Sequence, residues 1–251
     1  MYNLVITILA GGLGKRMNST LPKVLHPVNN IPMIIRILNE IKKLNPSKII
    51  IVVGKFKDVI KSTIELYNDL NNLNIEYALQ DPPLGTGHAV LSTLHLLDVS
   101  DLNLIVNGDN PLLQYDTLTT IINYFKSQTS KLQITAVNAS NPTGSGRIIM
   151  ENHVFQKIVE EKDCTEEQKE IKIVNCGIYL AYGDVLKKYI PLIKSNNAQK
   201  EYYLTDLVEI YKNDNNQISL YVLESNKELE VININTKDQL DSLNNILSTT
   251  K

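Results

Sequence analysis

The segment ILAGGLGKRM, residues 8–17, places Gly11, Gly12 and Gly14 just past an apolar run, with Arg16 behind them and Lys23 shortly after. Glycines lack a Cβ, so backbone N–H groups can approach an anion closely. Arg16 and Lys23 add positive charge beside them, a combination that suits a triphosphate. A plain strand-to-helix turn would explain the glycines alone. Two familiar phosphate loops fail on spacing. The dinucleotide fingerprint needs a third glycine that GGLGKR lacks, and a P-loop needs Ser or Thr after Gly-Lys, where this chain has Arg16.

Four further segments carry candidate chemistry. LQDPPLGTGHAV (79–90) puts Gln80 at a strand end and Gly85 and Gly87 at a helix start, where free N–H groups favour anions. Gln80 could read a base edge or face water. VNGDNP (106–111) ends an apolar run in Asp109. Open α/β sheets collect ligands at such strand ends, although a turn or helix cap would use the same residue. PTGSGRI (142–148) is a second glycine loop or a hairpin turn. NNAQKEYYLTD (196–206) places two tyrosines before a helix, where they line a sugar pocket or pack into a core.

The elements that must position these residues follow from periodicity. Strands are expected at 4–9, 48–54, 75–79 and 132–138, a strand running into a turn over 102–111, and helices at 33–44, 56–70, 88–97 and 118–125. This alternation implies βαβ units and a mostly parallel sheet, with strands apolar on both faces because helices cover both. The second half reads as paired strands at 146–150 and 154–160 around a Glu-Asn-His turn, and a strand at 173–181. A helix at 205–212, a strand at 218–223 and a final helix at 236–247 capped by Thr236 follow. One compact unit over 1–251 is expected, with no repeat and no Pro-, Gly- or Ser-rich linker.

Composition narrows the class. An apolar share of 43% supports a real core, and a net charge of −2 without charged blocks argues against a nucleic-acid or membrane surface. Cys164 and Cys176 form no CxxC pair, so neither a disulfide scaffold nor a zinc site is expected. A reducing, cytoplasmic setting is the simplest fit. The N-terminus lacks a signal-peptide pattern, and no apolar stretch is long enough to span a membrane.

Taken together and in order, ILAGGLGKRM, LPKVLHPV, LQDPPLGTGHAV, NGDNPL, NPTGSGRI, IVEEKDCTEEQKEI, VNCGIYLA and NNAQKEYYLTD resemble the uridylyltransferase domain of bacterial N-acetylglucosamine-1-phosphate uridylyltransferases, in the sugar-nucleotidyltransferase superfamily. The first segment marks only the superfamily; LGTGHA and the NNAQKEYYLTD run are specific to the N-acetylglucosamine branch. The resemblance implies a Rossmann-like α/β nucleotidyltransferase fold: a mostly parallel mixed sheet flanked by helices, with a smaller β-rich sugar-binding part. It implies a nucleotide-binding part to about residue 140, a sugar-binding part over about 141–235 and a C-terminal helix from 236. The activity implied is Mg²⁺-dependent transfer of uridylyl from UTP to N-acetylglucosamine 1-phosphate. Another sugar 1-phosphate and nucleotide pair, or a non-catalytic nucleotide-sugar sensor, are the alternatives.

Carried over by position, Leu9, Ala10, Gly11, Gly12 and Gly14 would hold the nucleotide, with Arg16 and Lys23 acting on its phosphates. Gln80, Gly85 and Thr86 would read uracil. Gly146, Glu160 and Asn175 would hold the sugar, with Tyr203 and Thr205 near its N-acetyl group. Asp109 would bind Mg²⁺. In EVININTKDQL (230–240) the pattern points to Asn235 as the second metal ligand, with Asn233 its competitor. Three departures stand out: Asn107 where an aromatic is common, Lys200 for a glycine and Cys176 for a threonine. A sugar phosphate is already anionic, so no general base is needed, and His26, His88, His95 and His153 read as structural or surface groups. The family's acetyltransferase β-helix has no counterpart in this sequence.

Overall fold

The apolar run at the start becomes β1 (Leu4–Leu9), which pairs in parallel on both sides. The structure is a computed structural model that describes residues 3–152 and 154–249; His153 lies outside the described residues. After β1 come the two-residue strands β2 (Pro27–Val28) and β3 (Ile31–Pro32), which pair with each other, and then α1 (Met33–Ile41). Next are β4 (Lys48–Val53), α2 (Lys57–Glu65), β5 (Ile75–Leu79), α3 (Thr86–Leu91), β6 (Leu102–Asn107), α4 (Tyr115–Ser127) and β7 (Leu132–Asn138). The second half holds β8 (Arg147–Glu151), β9 (Val154–Val159), α5 (Glu166–Lys169), β10 (Ile173–Tyr182), α6 (Gly183–Tyr189), α7 (Asp206–Asn213), β11 (Ser219–Leu223) and α8 (Lys237–Thr249).

Among the described residues the main sheet runs β11-β7-β10-β6-β1-β4-β5, with the β8–β9 hairpin branching from β10. Within the seven-strand path only β10 is antiparallel to its neighbours. The expected mostly parallel, mixed sheet is what forms. Alternate residues of each strand face opposite layers. Ile6, Ile8, Ile49, Ile51, Leu104 and Val106 pack under α1, α2 and α4, and Val5, Ile50, Val52 and Ile105 pack under α3, α6 and α7. Strands buried on both faces are apolar nearly throughout for this reason. Buried Asn103 and Thr7 are joined by a 3.1 Å bond from Asn103 Nδ2 to Thr7 Oγ1, while Asn103 Oδ1 stays without a partner.

Boundaries shift where periodicity outlasts the helix. The 33–44 and 56–70 segments end as α1 and α2 and finish in single 3-10 turns at Lys42–Leu44 and Asn68–Leu70. The 88–97 segment starts earlier, at Thr86, because the Gly85 N–H side opens the helix, and it breaks at Leu91 before a 3-10 turn. The strand expected to run into a turn within 102–111 does so, ending at Asn107, where the chain turns to present Asp109. Three elements had no expectation: the α5 turn, the short α6 and the β2–β3 pair. Thr236 caps α8 as expected, its Oγ1 accepting from Gln239 N–H at 3.2 Å. No helix among the described residues is long and apolar enough to cross a membrane.

Candidate active site

The carboxyl ends of β1, β6 and β5 open on one cavity of about 460 Å³. Its wall includes the whole of 9–16, Lys23, Gln80, Gly85, Thr86, Asn107, Asp109 and Asn235. The sequence segments that looked like phosphate, base and metal binders therefore converge, as crevices at strand ends of open α/β sheets do.

The glycine loop is built for close approach. Ala10 N–H is committed to the sheet, donating to Val52 O at 3.0 Å, so Leu9 and Ala10 form the floor rather than free donors. Past them, the N–H groups of Gly11, Gly12 and Leu13 donate to no described residue. A Cβ on Gly12 would meet nothing within 4 Å, so that space stays open to a ligand. Gly14 has φ +59°, the left-handed region, and lies so close to Lys23 that a Cβ there would stand 2.8 Å from the lysine's Cβ.

Cations and oxygens meet at one point of the cavity. Lys23 Nζ contacts Asp109 Oδ2 and donates to Asn235 Oδ1 at 3.0 Å. Arg16 donates to the same Asn235 oxygen at 3.1 Å. Asp109 is 8% exposed, and its Oδ1 is buried without a hydrogen-bond partner. A buried acceptor left unpaired is costly, so this oxygen points to a ligand. Asp109 and Asn235 offer only oxygen donors, already converging on a positive charge, and this fits a hard cation of the Mg²⁺ type that takes its remaining ligands from water and phosphate. No cluster of three or more His, Cys, Asp or Glu side chains exists among the described residues. Asn233, the competitor, turns instead to Asn107, whose Nδ2 donates to its Oδ1 at 3.1 Å.

Gln80 is 4% exposed and its amide is partly engaged. Its Nε2 donates to Gly85 O at 2.8 Å, while its Oε1 faces Gly11. Gln80 thus locks the base-side loop as well as lining the cavity. That loop is tied to the 202–204 stretch: Gly87 N–H donates to Tyr202 O at 2.7 Å, and Leu204 N–H to Thr86 Oγ1 at 2.9 Å. Gly85 sits at φ +114°, and a Cβ there would lie 2.6 Å from Tyr202 O. His88 approaches Gln80 at 3.4 Å within this packing, and His26 Nε2 is buried.

The sugar-side candidates form a second group that does not line the 460 Å³ cavity. Glu160 Oε1 accepts from Thr205 Oγ1 at 3.0 Å, and Gly146 leaves room for that carboxylate. Asn175 N–H donates to Gly146 O at 2.8 Å. The Asn175 amide is held at both ends, donating to Tyr179 OH at 2.7 Å and accepting from Gly177 N–H at 3.1 Å. Tyr203 is buried, its hydroxyl without a partner within hydrogen-bonding distance. Burial pushes the Glu160 carboxyl up; the Thr205 hydrogen bond opposes this, and Asp206, Asp163 and Glu201 add to it. Burial likewise pushes up the Tyr203 phenol and the Cys176 thiol.

Three contributors escaped sequence reasoning. Tyr179 holds Asn175 but sits inside a strand whose pattern asks only for bulk. Glu201 joins the cavity wall from a loop. Arg147, 1% exposed, pairs with Glu161 Oε2 at 2.7 Å and donates to Lys169 O at 3.2 Å, fixing the base of the β8–β9 hairpin. Its charge at an inward strand position was the available signal.

Residues 6–169 match the family described as MobA-like NTP transferase domain. The chain is 53% identical over 248 residues to a probable UDP-N-acetylglucosamine pyrophosphorylase of Acanthamoeba polyphaga mimivirus, covering 98% of this chain and 96% of that protein. It is 38% identical to the bifunctional protein GlmU of Caldanaerobacter subterraneus subsp. tengcongensis, over 98% of this chain but 52% of that protein. The chain thus spans about half the length of its GlmU relatives. A solved structure of a putative glucose-1-phosphate thymidylyltransferase from Bacillus anthracis superposes with a TM-score of 0.76 at 22% identity, covering 97% of this chain and 94% of that one, a likeness of fold.

Proposed function

We propose that this chain, which belongs to the MobA-like NTP transferase family, transfers uridylyl from UTP to N-acetylglucosamine 1-phosphate and releases pyrophosphate. One observation carries the reading. Arg16, Lys23, Asp109 and Asn235 converge beside a glycine loop whose N–H groups are free. The identity to the mimivirus pyrophosphorylase supports the choice of substrates.

The chemistry must bring one anion onto another. A phosphate oxygen of the sugar phosphate attacks the α-phosphorus of UTP and forms a new P–O bond. The bond from α-phosphorus to the bridging oxygen breaks, and its electron pair leaves with pyrophosphate. The nucleophile needs no deprotonation, so the protein's work is charge neutralisation and in-line placement. Free N–H groups of Gly11 and Gly12 receive the triphosphate, and Gln80, Gly85 and Thr86 bound the base side. Arg16 and Lys23 take up the charge that grows on the leaving pyrophosphate. Asp109 and Asn235 are the residues that would hold Mg²⁺, which supplies positive charge to the phosphate oxygens. Glu160, Asn175 and Thr205 orient the sugar, with Gly146 giving them room and Tyr203 closing the N-acetyl side. A cytoplasmic setting, where both substrates are made, fits the reading.

The test is pyrophosphate release from UTP with N-acetylglucosamine 1-phosphate and Mg²⁺, with glucose 1-phosphate in parallel. A strong preference for the N-acetyl sugar is expected. Release with glucose 1-phosphate alone would keep the chemistry and overturn the sugar. Silence with every sugar phosphate and nucleotide pair would leave a nucleotide-sugar sensor.

A further inference from the structure

Each proposed metal ligand has an asparagine two positions upstream: Asn107 before Asp109, and Asn233 before Asn235. Asn107 ends β6 and lines the cavity. The 232–235 stretch belongs to no strand, so no sheet ladder fixes its position. Besides the Lys23 and Arg16 bonds to the Asn235 oxygen and the Asn235 N–H bond to Gln239, three cross-ties join this strap to the end of β6. Asn110 Nδ2 donates to Val231 O at 3.0 Å, Ile234 N–H donates to Asp109 O at 3.0 Å, and Asn107 Nδ2 donates to Asn233 Oδ1 at 3.1 Å. The first two use backbone acceptors and set the height of the strap. The third joins two side chains.

The amide of Asn107 also has a made-to-measure seat. Gly177, at φ +70°, leaves a notch in which a Cβ would stand 2.2 Å from Asn107 Nδ2. The amide therefore sits between Gly177 and Asn233, with its Nδ2 directed at the Asn233 oxygen. Asn233 in turn contacts Asn235, whose Nδ2 reaches Asn233 O at 3.4 Å. Contacts thus run from the end of β6 through the side chain of Asn233 to its backbone carbonyl, which the Asn235 amide reaches.

We infer that Asn107 is a positioning residue. Through Asn233 it holds the Asn235 amide oxygen in register with Asp109, and so sets the affinity of the site for a divalent cation. The inference rests on the nucleotidyltransferase reading above. It adds a residue that touches neither phosphate nor metal in the role described.

Mn²⁺ binding tests it without turnover. Free Mn²⁺ is read by electron paramagnetic resonance during titration into the protein, alone and with UDP-N-acetylglucosamine, against a protein-free control. The variants are Asn107→Ala, Asn233→Ala, the double alanine, Asn235→Ala as the ligand control, and Asn233→Asp, which keeps the acceptor oxygen. Each single alanine is expected to weaken Mn²⁺ binding by about 3- to 10-fold, the scale of one hydrogen bond. The double should lose no more than the worse single, because both remove one coupled contact. Asn233→Asp should retain the wild-type affinity or exceed it. In turnover, KM for Mg²⁺ should rise while KM for UTP holds.

Unchanged Mn²⁺ affinity in Asn107→Ala, or additive losses in the double, would overturn the inference and leave the proposed reaction standing. Loss of binding in Asn233→Ala with little effect of Asn235→Ala would make Asn233 the ligand and overturn it too. No Mn²⁺ bound by the wild type in either condition would remove the Asp109–Asn235 pair itself, and the positioning role with it.

Discussion

The two ends of the site are built on opposite principles. At the proposed nucleotide end several groups are bare, namely the backbone N–H groups of Gly11 and Gly12, the space over Gly12 and a buried oxygen of Asp109, beside side chains of Arg16, Lys23 and Asn235 that bond one another. At the proposed sugar end most polar groups already hold one another, Glu160 with Thr205 and Asn175 with Tyr179 and Gly177, and only the Tyr203 hydroxyl among the candidates is unpartnered. A phosphate on the free N–H groups gains new bonds outright, whereas a cation must take Asp109 and Asn235 from Lys23 and Arg16. A ligand at the second end must exchange existing ones, so net binding there is weaker and depends more on shape. Buried polar groups that lose a partner are penalised, which makes such a pre-bonded site selective for a sugar that replaces every bond it displaces. On the proposed reading, triphosphate capture and sugar discrimination would be divided between them.

Breaking the bare end should cost most. Asp109→Asn removes the charge that the cavity's cations face and is expected to lower kcat roughly 100- to 1,000-fold, the scale of losing one preorganised electrostatic group. The melting temperature should stay near wild type; unchanged turnover would take Asp109 out of the mechanism. Gly12→Ala comes next. Its Cβ meets nothing in the free protein, so stability should hold. The methyl would intrude on the phosphate space, and UTP binding measured by calorimetry should weaken about tenfold, close to one decade per 1.4 kcal/mol. Equal affinity would place the phosphates elsewhere.

The pre-bonded end should respond through KM and pH. Glu160 is pushed up by burial, so its carboxylate gains a proton at a higher pH than an ordinary glutamate. The charged form is the better acceptor for sugar hydroxyls. KM for the sugar phosphate should therefore rise as pH falls into that raised range, and Glu160→Gln should abolish this dependence while raising KM roughly tenfold at neutral pH. A pH profile that persists in the variant would assign it to another group, such as the substrate phosphate.

The smallest effect concerns stability nearby. Burial, with Glu209 and Asp163 close by, pushes the Asp206 carboxyl up from 3.8 to about 6. A carboxyl raised in the folded state contributes stability below its unfolded value and loses it as pH rises through the folded one. Wild-type stability should therefore carry a decline between about pH 4 and pH 6 that Asp206→Asn lacks. Thermal melts across that window measure it; parallel curves would show that water screens the residue.

Much of the nucleotide end was legible because its requirements are local. A glycine at φ +59°, as at Gly14, or an open Cβ position, as at Gly12, must be written into the sequence at that position. The sheet was legible for a related reason: strands covered on both faces need mostly apolar runs, and 4–9 and 49–53 have them, broken only by Thr7. The sugar end was legible only through resemblance. Glu160, Asn175 and Thr205 come from β9's end, β10 and the start of α7, and no spacing in the chain relates them.

The sequence by itself determined the alternation of strands and helices, the glycine loop and the types of residue at the site, since each follows from backbone geometry or burial within a few neighbours. Tertiary structure alone decided which oxygens face one another. Asn235 and Asn233 are chemically identical and two residues apart, yet one meets Lys23 and Arg16 while the other meets Asn107. That choice depends on how a strap outside the sheet is pinned across β6, by Ile234 N–H on Asp109 O and Asn110 on Val231 O. Contacts between residues more than a hundred positions apart are fixed by packing, and local propensity carries no record of them.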